Sequence, residues 1–191
     1  MSNNLSYFHD NIVPLTNKQK RKLKRVNTGL RLQEVEPMTK TQERVFNSYY
    51  DGKNIMCHGV AGTGKTFIAT YLATQEVLSN YNDTRSLHII RSVVPTRDMG
   101  FLPGNQREKS KVYEAPYYAI FTELFQRGDA YEILKGREQV HFTTTSFIRG
   151  LTINDAVVIV DECQNMTYHE LDSIITRLGD NCKIVFCGDF R

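Results

Sequence analysis

Apolar and polar positions divide this chain into two unlike parts. Residues 1–36 are mostly polar, and six basic side chains lie within the eight positions from Lys18 to Arg25. A run of like charges repels itself and favours an extended, solvated state. We therefore predict a polar, basic N-terminal arm over residues 1–36 that packs little, followed by one folded domain over residues 37–191.

From Pro37 onward, short apolar runs alternate with stretches of helical periodicity. Apolar runs of strand length, several bounded by turn residues, predict five strands. They are residues 54–58, 87–91, 139–143, 156–160 and 182–187. Helical spacing predicts helices over residues 39–50, from about 65 to 79, 116–127 and 168–178. Alternating strands and helices imply an α/β domain with a mostly parallel sheet covered by helices.

A glycine-rich loop lies between the first predicted strand and the helix after it. It fits the pattern GxxxxGK[ST] at every fixed position with Gly59, Val60, Ala61, Gly62, Thr63, Gly64, Lys65 and Thr66. Such a loop lets backbone N–H groups approach phosphates, and the following helix presents its positive end to them. Lys65 is expected to reach the β and γ phosphates and Thr66 to bind Mg²⁺. A glycine-rich turn that binds nothing is the alternative, which this strand–loop–helix context disfavours.

An acidic pair follows the apolar run Val157–Val160. Asp161 and Glu162 stand at the carboxyl end of a predicted strand, where open α/β sheets bind ligands. This looks like a Walker B strand, in which Asp161 holds magnesium and Glu162 orients or deprotonates the attacking water. The alternative is that both acids only cap a nearby helix. The glycine-rich loop upstream favours the catalytic interpretation, because one site then uses both elements.

Composition narrows the class of protein further. The net charge of +3 is too mild to indicate a polyanionic partner, and no apolar run approaches the length of a membrane span. The four cysteines form no CxxC pair, and we interpret them as reduced structural thiols of a cytoplasmic protein. The only Asn-Lys step is followed by Gln19-Lys20, so no guanine-reading Asn-Lys-x-Asp loop is present. ATP is therefore the expected nucleotide.

Several stretches together resemble the PhoH-like ATPase family, over roughly residues 39–191. Asp-Glu-Cys-Gln-Asn at 161–165 is similar to the family's DEAQN box, with cysteine in place of alanine. Gly-Phe-Leu-Pro-Gly at 100–104, Phe-Ile-Arg-Gly at 147–150 and Thr-Arg-Leu-Gly at 176–179 match further family segments. The sequence of residues 91–98 is similar to that of the family members encoded by bacteriophages. This resemblance implies that the protein acts in the host cytoplasm.

The resemblance implies a RecA-like P-loop NTPase fold related to the first motor domain of superfamily one helicases. It also implies that Gln42, upstream of the glycine-rich loop, reads adenine. An ordinary surface glutamine on an amphipathic helix is the alternative. The family pattern continues past Arg191 into a glutamine that senses the γ phosphate, so we expect a C-terminally shortened version. Leu151 stands where the cellular family commonly has an arginine.

Three further residues are candidates for phosphate sensing or charge stabilisation. Asp189 follows the last apolar run and is a candidate for holding the attacking water, with a plain strand-end acid as the alternative. Arg149 and Arg177 are expected near the ligand-binding end of the sheet, where an arginine can stabilise the transferring phosphoryl group. A second motor domain does not fit in 191 residues. The arginine is thus expected from a neighbouring subunit, and we predict a ring-like homo-oligomer.

Signals for nucleic-acid binding are weaker. Tyr117, Phe121 and Phe125 recur at helical spacing and are candidates for a base-stacking platform, although core packing is the better interpretation. Residues 109–111 and 143–146 offer ammonium and hydroxyl groups for a phosphate backbone, or form polar loops. The leading hypothesis is an ATPase that couples Mg-ATP hydrolysis to single-stranded RNA or DNA. The alternatives are a nucleotide-dependent switch or assembly module for protein partners, and an inactive fragment.

Overall fold

The computed structural model describes residues 29–79, 83–92, 106–148 and 150–189, with residues 106–110 described for their backbone alone. The elements below belong to one compact unit that begins at Arg31. Most of the predicted basic arm and the 100–104 segment lie outside the described residues.

Five helices and five strands follow one another along the described chain. The helices are α1 (Lys40–Tyr50), α2 (Lys65–Leu78), α3 (Gln106–Phe125), α4 (Ala130–Gly136) and α5 (Tyr168–Ile175). The strands are β1 (Ile55–Gly59), β2 (Ser86–Arg91), β3 (Val140–Thr144), β4 (Ala156–Asp161) and β5 (Cys182–Asp189). Two short 3₁₀ helices, Thr145–Phe147 and Cys163–Asn165, follow β3 and β4.

The strands form one sheet in the order β1-β5-β4-β2-β3, and every pairing is parallel. The carboxyl ends of all five strands therefore meet at one edge. Within this edge the register places Arg91 beside Asp161 and Gly59 beside Asp189. After β1 the chain crosses to β2 and adds β3 on its outer side; it then reverses direction and places β4 and β5 between β2 and β1. Open α/β sheets bind ligands at the carboxyl edge where the strand order reverses.

Side-chain chemistry fixes where two of the helices begin. Thr39 caps α1 by accepting a hydrogen bond from the Gln42 N–H, and Thr167 and Glu170 form a reciprocal capping box at α5. The central strand β4 is buried along its whole length, because helices cover both faces of the sheet. One apolar cluster joins Val158 and Val160 of β4 to Ile174 of α5 and to Ile90 and Ile184 of the flanking strands.

The predicted α/β domain with a parallel sheet is confirmed, with shifted bounds. The third helix begins at Gln106, ten residues before its predicted start. The prediction was late because proline favours the first turn of a helix, so Pro116 was taken as the start although it lies inside the helix. Helix α4 was not predicted, since its seven residues are too few for a clear helical period. Core packing, the preferred interpretation of the aromatic row on α3, is confirmed, because Tyr117, Phe121 and Phe125 are buried. This excludes the base-stacking alternative. All four cysteines are free thiols.

Candidate functional site

The glycine-rich loop leaves β1 at Gly59 and enters α2 at Lys65. Gly62 has φ 77° and Gly64 has φ 79°, both in the left-handed region where a side chain is strained. Gly64 is the N-cap of α2 and has no side chain to bond the first N–H groups of the helix. These N–H groups remain directed toward the loop, which is the arrangement that binds anions.

The Lys65 ammonium group contacts oxygens on both sides of the cleft. Its Nζ donates to the carbonyl oxygens of Gly59 at 3.0 Å and Val60 at 2.7 Å, within its own loop. It also lies 2.7 Å from Oδ1 of Asp189, the last residue of β5. The predicted phosphate-binding lysine and the predicted sensing carboxylate are thus in direct contact.

Thr66 and Asp161 meet across the cleft. The Thr66 hydroxyl donates to Asp161 Oδ1 at 2.7 Å, although the two residues are 95 positions apart in the chain. The other carboxylate oxygen, Oδ2, accepts a hydrogen bond of 2.6 Å from the hydroxyl of Tyr117 on α3. Tyr117 is fully buried, and burial and the neighbouring Asp161 carboxylate raise the pKa of its hydroxyl, which therefore stays a donor.

These oxygens fit a magnesium ion. A hydroxyl and a carboxylate within hydrogen-bond distance are the hard oxygen ligands that Mg²⁺ takes, together with phosphate and water oxygens. In the described parts of the chain, no group of three or more His, Cys, Asp or Glu side chains can hold a metal ion alone. A magnesium ion here would depend on Thr66, Asp161 and the oxygens of a bound phosphate.

Glu162 begins the turn that follows β4. Its φ of 54° places a non-glycine residue in the left-handed region, a strained conformation that clusters at functional sites. One carboxylate oxygen accepts a 2.6 Å hydrogen bond from Gln164 Nε2, and the other lies 3.7 Å from an Arg91 guanidinium nitrogen. The Glu162 side chain keeps 35% of its surface exposed, so it faces the open cleft.

Gln42 lies next to the loop, as expected for a residue that reads the nucleotide. Its Nε2 donates to the carbonyl oxygen of Thr63 at 3.3 Å, and its Oε1 accepts from the Met38 N–H at 2.7 Å. The amide is therefore held at the rim of the glycine-rich loop. Adenine recognition by Gln42 stays a prediction.

Arg177, one of the two candidate arginines, is not brought to this site. The expectation that Arg177 lies at the ligand-binding end is wrong, because its carbonyl oxygen accepts from Ile153 N–H, just before β4 begins. Strand β4 separates that point from Asp161 by roughly 16–20 Å. Helix α5 had been predicted to continue to residue 178, whereas it ends at Ile175. A role for Arg177 in a neighbouring subunit stays a prediction, and Arg149 lies outside the described residues.

Three site residues had been missed. In the sequence, Tyr117 was interpreted only as part of an aromatic row and Arg91 only as the end of a strand. Gln164 was interpreted only as part of a family motif. The parallel register offers one signal that could have found Arg91, since two neighbouring strands that end at the same edge place their last residues side by side. The contacts of Tyr117 and Gln164 depend on distant elements, and the sequence gives no comparable signal for them.

A second polar cluster lies at the carboxyl ends of β2 and β3. Glu170, in the first turn of α5, accepts hydrogen bonds from Thr145 at 2.6 Å and Ser92 at 3.3 Å. These bonds lower the pKa of Glu170 against the opposing effect of burial. Thr144 and Thr145 are buried, so the phosphate-contact alternative for residues 143–146 does not hold for their two hydroxyls. Phe147 and Tyr168 instead remain exposed beside this cluster, by 51% and 78%.

The cleft bordered by the loop, the acidic pair and the end of β5 has a volume of about 240 Å³. Elsewhere, none of the helices in the described residues is both long enough and apolar enough to cross a membrane.

Comparisons with known proteins agree on the family. The family model described as PhoH-like protein matches residues 34–191. Protein PhoH2 of Bacillus subtilis (strain 168) is 38% identical over 137 residues, covering 69% of this chain and 30% of that protein. A PhoH-like protein of Synechocystis sp. is 37% identical over 134 residues, covering 70% of this chain and 40% of the relative. The chain thus spans less than half the length of these curated relatives.

Among solved structures, the Sulfolobus solfataricus SWI2/SNF2 ATPase core in complex with dsDNA has the same fold. It matches with a TM-score of 0.52 at 14% identity, over 83% of this chain and 34% of that one. The RecA-like P-loop fold expected from the sequence is confirmed.

Proposed function

Because the chain belongs to the PhoH-like protein family, we propose that it binds Mg-ATP at the glycine-rich loop and hydrolyses it with Glu162. The observation that carries this proposal is the 2.7 Å contact between Thr66 and Asp161, which joins the glycine-rich loop to the acidic pair. Two sequence signals that are distant along the chain thereby form one site. Residues 59–64 contribute backbone N–H groups for the phosphates, and Lys65 contributes the mobile positive charge.

Each residue has a distinct role in this mechanism. Thr66 and Asp161 would hold the magnesium ion, which neutralises charge on the phosphates. Lys65 exchanges its contacts with Asp189 and the loop carbonyls for contacts with the β and γ phosphates. Glu162 accepts a hydrogen bond from the attacking water and orients it toward the γ phosphate. Phosphoryl transfer depends mainly on such positioning and charge stabilisation.

The cleft is smaller than the roughly 300–1,000 Å³ of pockets that enclose whole small-molecule ligands. In our proposal the cleft would take the triphosphate, and the base would extend along the loop rim toward Gln42. An amide pairs with the donor and acceptor edge of adenine through its own acceptor and donor.

Steady-state phosphate release from ATP with Mg²⁺ tests the enzyme. We expect Lys65→Ala and Glu162→Gln each to lower turnover on the order of 100- to 1,000-fold, the cost of removing one group that stabilises the transition state. The exposed Lys53→Ala and Glu123→Gln serve as matched controls and should keep wild-type turnover. If wild-type turnover does not exceed that of Glu162→Gln, the enzyme proposal fails, and a nucleotide-dependent switch takes its place.

The same protein is proposed to couple hydrolysis to single-stranded RNA or DNA at the edge formed by β2, β3 and α5. Exposed aromatic side chains beside polar groups are the means by which proteins stack unpaired bases. Phe147 and Tyr168 provide them here. An arginine from a neighbouring copy in a ring-like homo-oligomer is proposed to complete charge stabilisation. Of the described candidates, Arg91 lies beside Glu162, and Arg177 lies at the other end of β4.

Binding of a labelled single-stranded oligonucleotide at several salt concentrations tests this edge. We expect Tyr168→Ala to weaken binding by roughly 5-fold or more, the value of one stacked base. Ile175→Ala removes an exposed apolar side chain at the other end of the same helix and should leave affinity unchanged. Equal affinities for wild type and Tyr168→Ala would exclude this edge, and light scattering with Mg-ATP tests the ring.

A further inference from the structure

The turn after β4 packs unusually close to the end of β5. A Cβ atom on Gly188 would lie 2.6 Å from Cys163 Sγ and 3.1 Å from Gln164 Oε1, so only glycine leaves room for this contact. The left-handed backbone of Glu162 directs the 3₁₀ helix Cys163–Asn165 toward β5. The left-handed backbone at Glu162 and the missing side chain at Gly188 thus allow Gln164, which follows β4 in the chain, to contact β5.

The amide of Gln164 bridges two elements of the site. Its Oε1 accepts a 3.0 Å hydrogen bond from the Asp189 backbone N–H, and its Nε2 donates to Glu162 Oε2 at 2.6 Å. A backbone N–H requires an acceptor and a carboxylate requires a donor, so these two partners allow only one orientation of the amide. The side chain is therefore fixed at both ends despite its exposed position.

Glu162 is consequently held on both carboxylate oxygens, by Gln164 on one side and by Arg91 on the other. The Gln164 contact is the shorter of the two and extends to Asp189, whose carboxylate lies 2.7 Å from Lys65. One chain of polar contacts thus connects Lys65 to Glu162 through Asp189 and Gln164. A half-exposed glutamate without such partners would sample several rotamers.

We propose that Gln164 is a positioning residue for hydrolysis: it fixes the Glu162 carboxylate relative to the end of β5, where Lys65 is bound. This inference rests on the proposed function, since it assigns Gln164 a role in the same reaction. Gln164 acts through Glu162 and is not among the residues that line the cleft. Its loss therefore lowers the rate of the chemical step and leaves ATP binding intact.

Two substitutions separate the contacts of Gln164. Gln164→Glu keeps an oxygen that accepts from the Asp189 N–H, but it places a second carboxylate against Glu162. Gln164→Met keeps the length of the side chain and removes both contacts. We expect each to lower kcat by roughly 10- to 100-fold, as for other residues that orient a catalytic group, with ATP affinity within about 3-fold of wild type. Gln126→Met, at an exposed glutamine in the turn after α3, is the matched control.

The experiment measures kcat from phosphate release and affinity from equilibrium binding of a fluorescent ATP analogue. It includes Glu162→Gln and the double variant Glu162→Gln/Gln164→Met. If Gln164 acts through Glu162, the second substitution changes the residual turnover of Glu162→Gln by less than about 2-fold, because coupled residues are not additive. A structural role instead lowers turnover in both backgrounds by the same factor.

The outcomes distinguish this inference from the function on which it rests. Wild-type kcat in both Gln164 variants, or equal losses of kcat and ATP affinity, overturns the role of Gln164 and leaves the ATPase proposal standing. Absence of wild-type turnover above Glu162→Gln overturns both.

Discussion

Two ion pairs join the same helix to the same strand, one at each end. Lys65 at the start of α2 pairs with Asp189 at the end of β5, and Glu76 near the end of α2 pairs with Lys183 near the start of β5. Both nitrogen–oxygen distances are 2.7 Å. Distance therefore does not distinguish the pair proposed to bind ATP from the pair that holds the fold.

The surroundings of the two pairs differ. Lys183 lies 4.0 Å from the centre of the Tyr49 ring, and Glu76 also accepts a 2.9 Å hydrogen bond from the Thr84 hydroxyl. Lys65 instead contacts the carbonyl oxygens of its own loop, beside an open cleft. A lysine–carboxylate pair stabilises the fold where side chains enclose it. It can serve binding where its other partners are loop carbonyls that a phosphate can replace.

Lys183→Met tests the enclosed pair and has the largest expected effect. Glu76 would be left largely buried without its cationic partner, which costs about 3–5 kcal/mol. We expect a matching loss in the free energy of unfolding, measured by urea denaturation followed by circular dichroism. ATP affinity at low temperature should remain at its wild-type value. A loss below about 1 kcal/mol would show that the pair does not hold α2 to β5.

Lys65→Met makes the same substitution at the other end. We expect turnover to fall on the order of 100- to 1,000-fold, about 3–4 kcal/mol of transition-state stabilisation. The free energy of unfolding should change by less than about 1 kcal/mol. The carboxylate left without its partner, Asp189, keeps 34% of its side-chain surface exposed, so water can solvate it, whereas Glu76 keeps only 13%. Equal stability losses for Lys65→Met and Lys183→Met would abolish the distinction between the two ends.

Tyr117→Phe examines a buried contact at the carboxyl end, where stability and activity are expected to change together. The substitution removes a hydrogen bond to the Asp161 carboxylate, which costs about 1.5–3 kcal/mol. Turnover should fall roughly 10-fold, as for other residues that orient a metal ligand. Thermal unfolding and phosphate release without nucleic acid measure the two effects, with Tyr168→Phe, which keeps the ring of an exposed tyrosine, as the control. Unchanged turnover would separate Tyr117 from the site.

The smallest expected effect is the pH dependence of the Glu76 pair. Burial raises the pKa of Glu76, but hydrogen bonds from Lys183 and Thr84 outweigh it and hold the pKa below its ordinary value of 4.5. A carboxyl group with a lowered folded pKa contributes stability above pH 4.5, and this contribution is lost as pH falls through the folded pKa. We therefore expect Glu76→Gln to make the free energy of unfolding fall less steeply as the pH is lowered below 4.5, measured by urea denaturation at several pH values.

Much of the fold was predictable because its signals are local. The five apolar runs each became a strand, and the glycine-rich loop lies between β1 and α2 as its pattern requires. Helix α4 and the first half of α3 were missed, since short or polar helices gain their stability from packing rather than from periodicity. The helical spacing of the aromatic row on α3 fits both an exposed stripe and a buried core face. Only the burial of these side chains in the structure distinguishes the two.

The site divides in the same way. Sequence alone determined which residues form the glycine-rich loop and the acidic pair, and it predicted their chemistry. Mobile glycines, a lysine and two carboxylates at a strand end have few other uses in that arrangement. The tertiary structure decided the partners: Tyr117 for Asp161, Gln164 and Arg91 for Glu162, and Asp189 for Lys65. It also placed Arg177 at the opposite end of the sheet. Contacts between residues far apart in the chain depend on how the strands are ordered in the sheet, and no local pattern records that order.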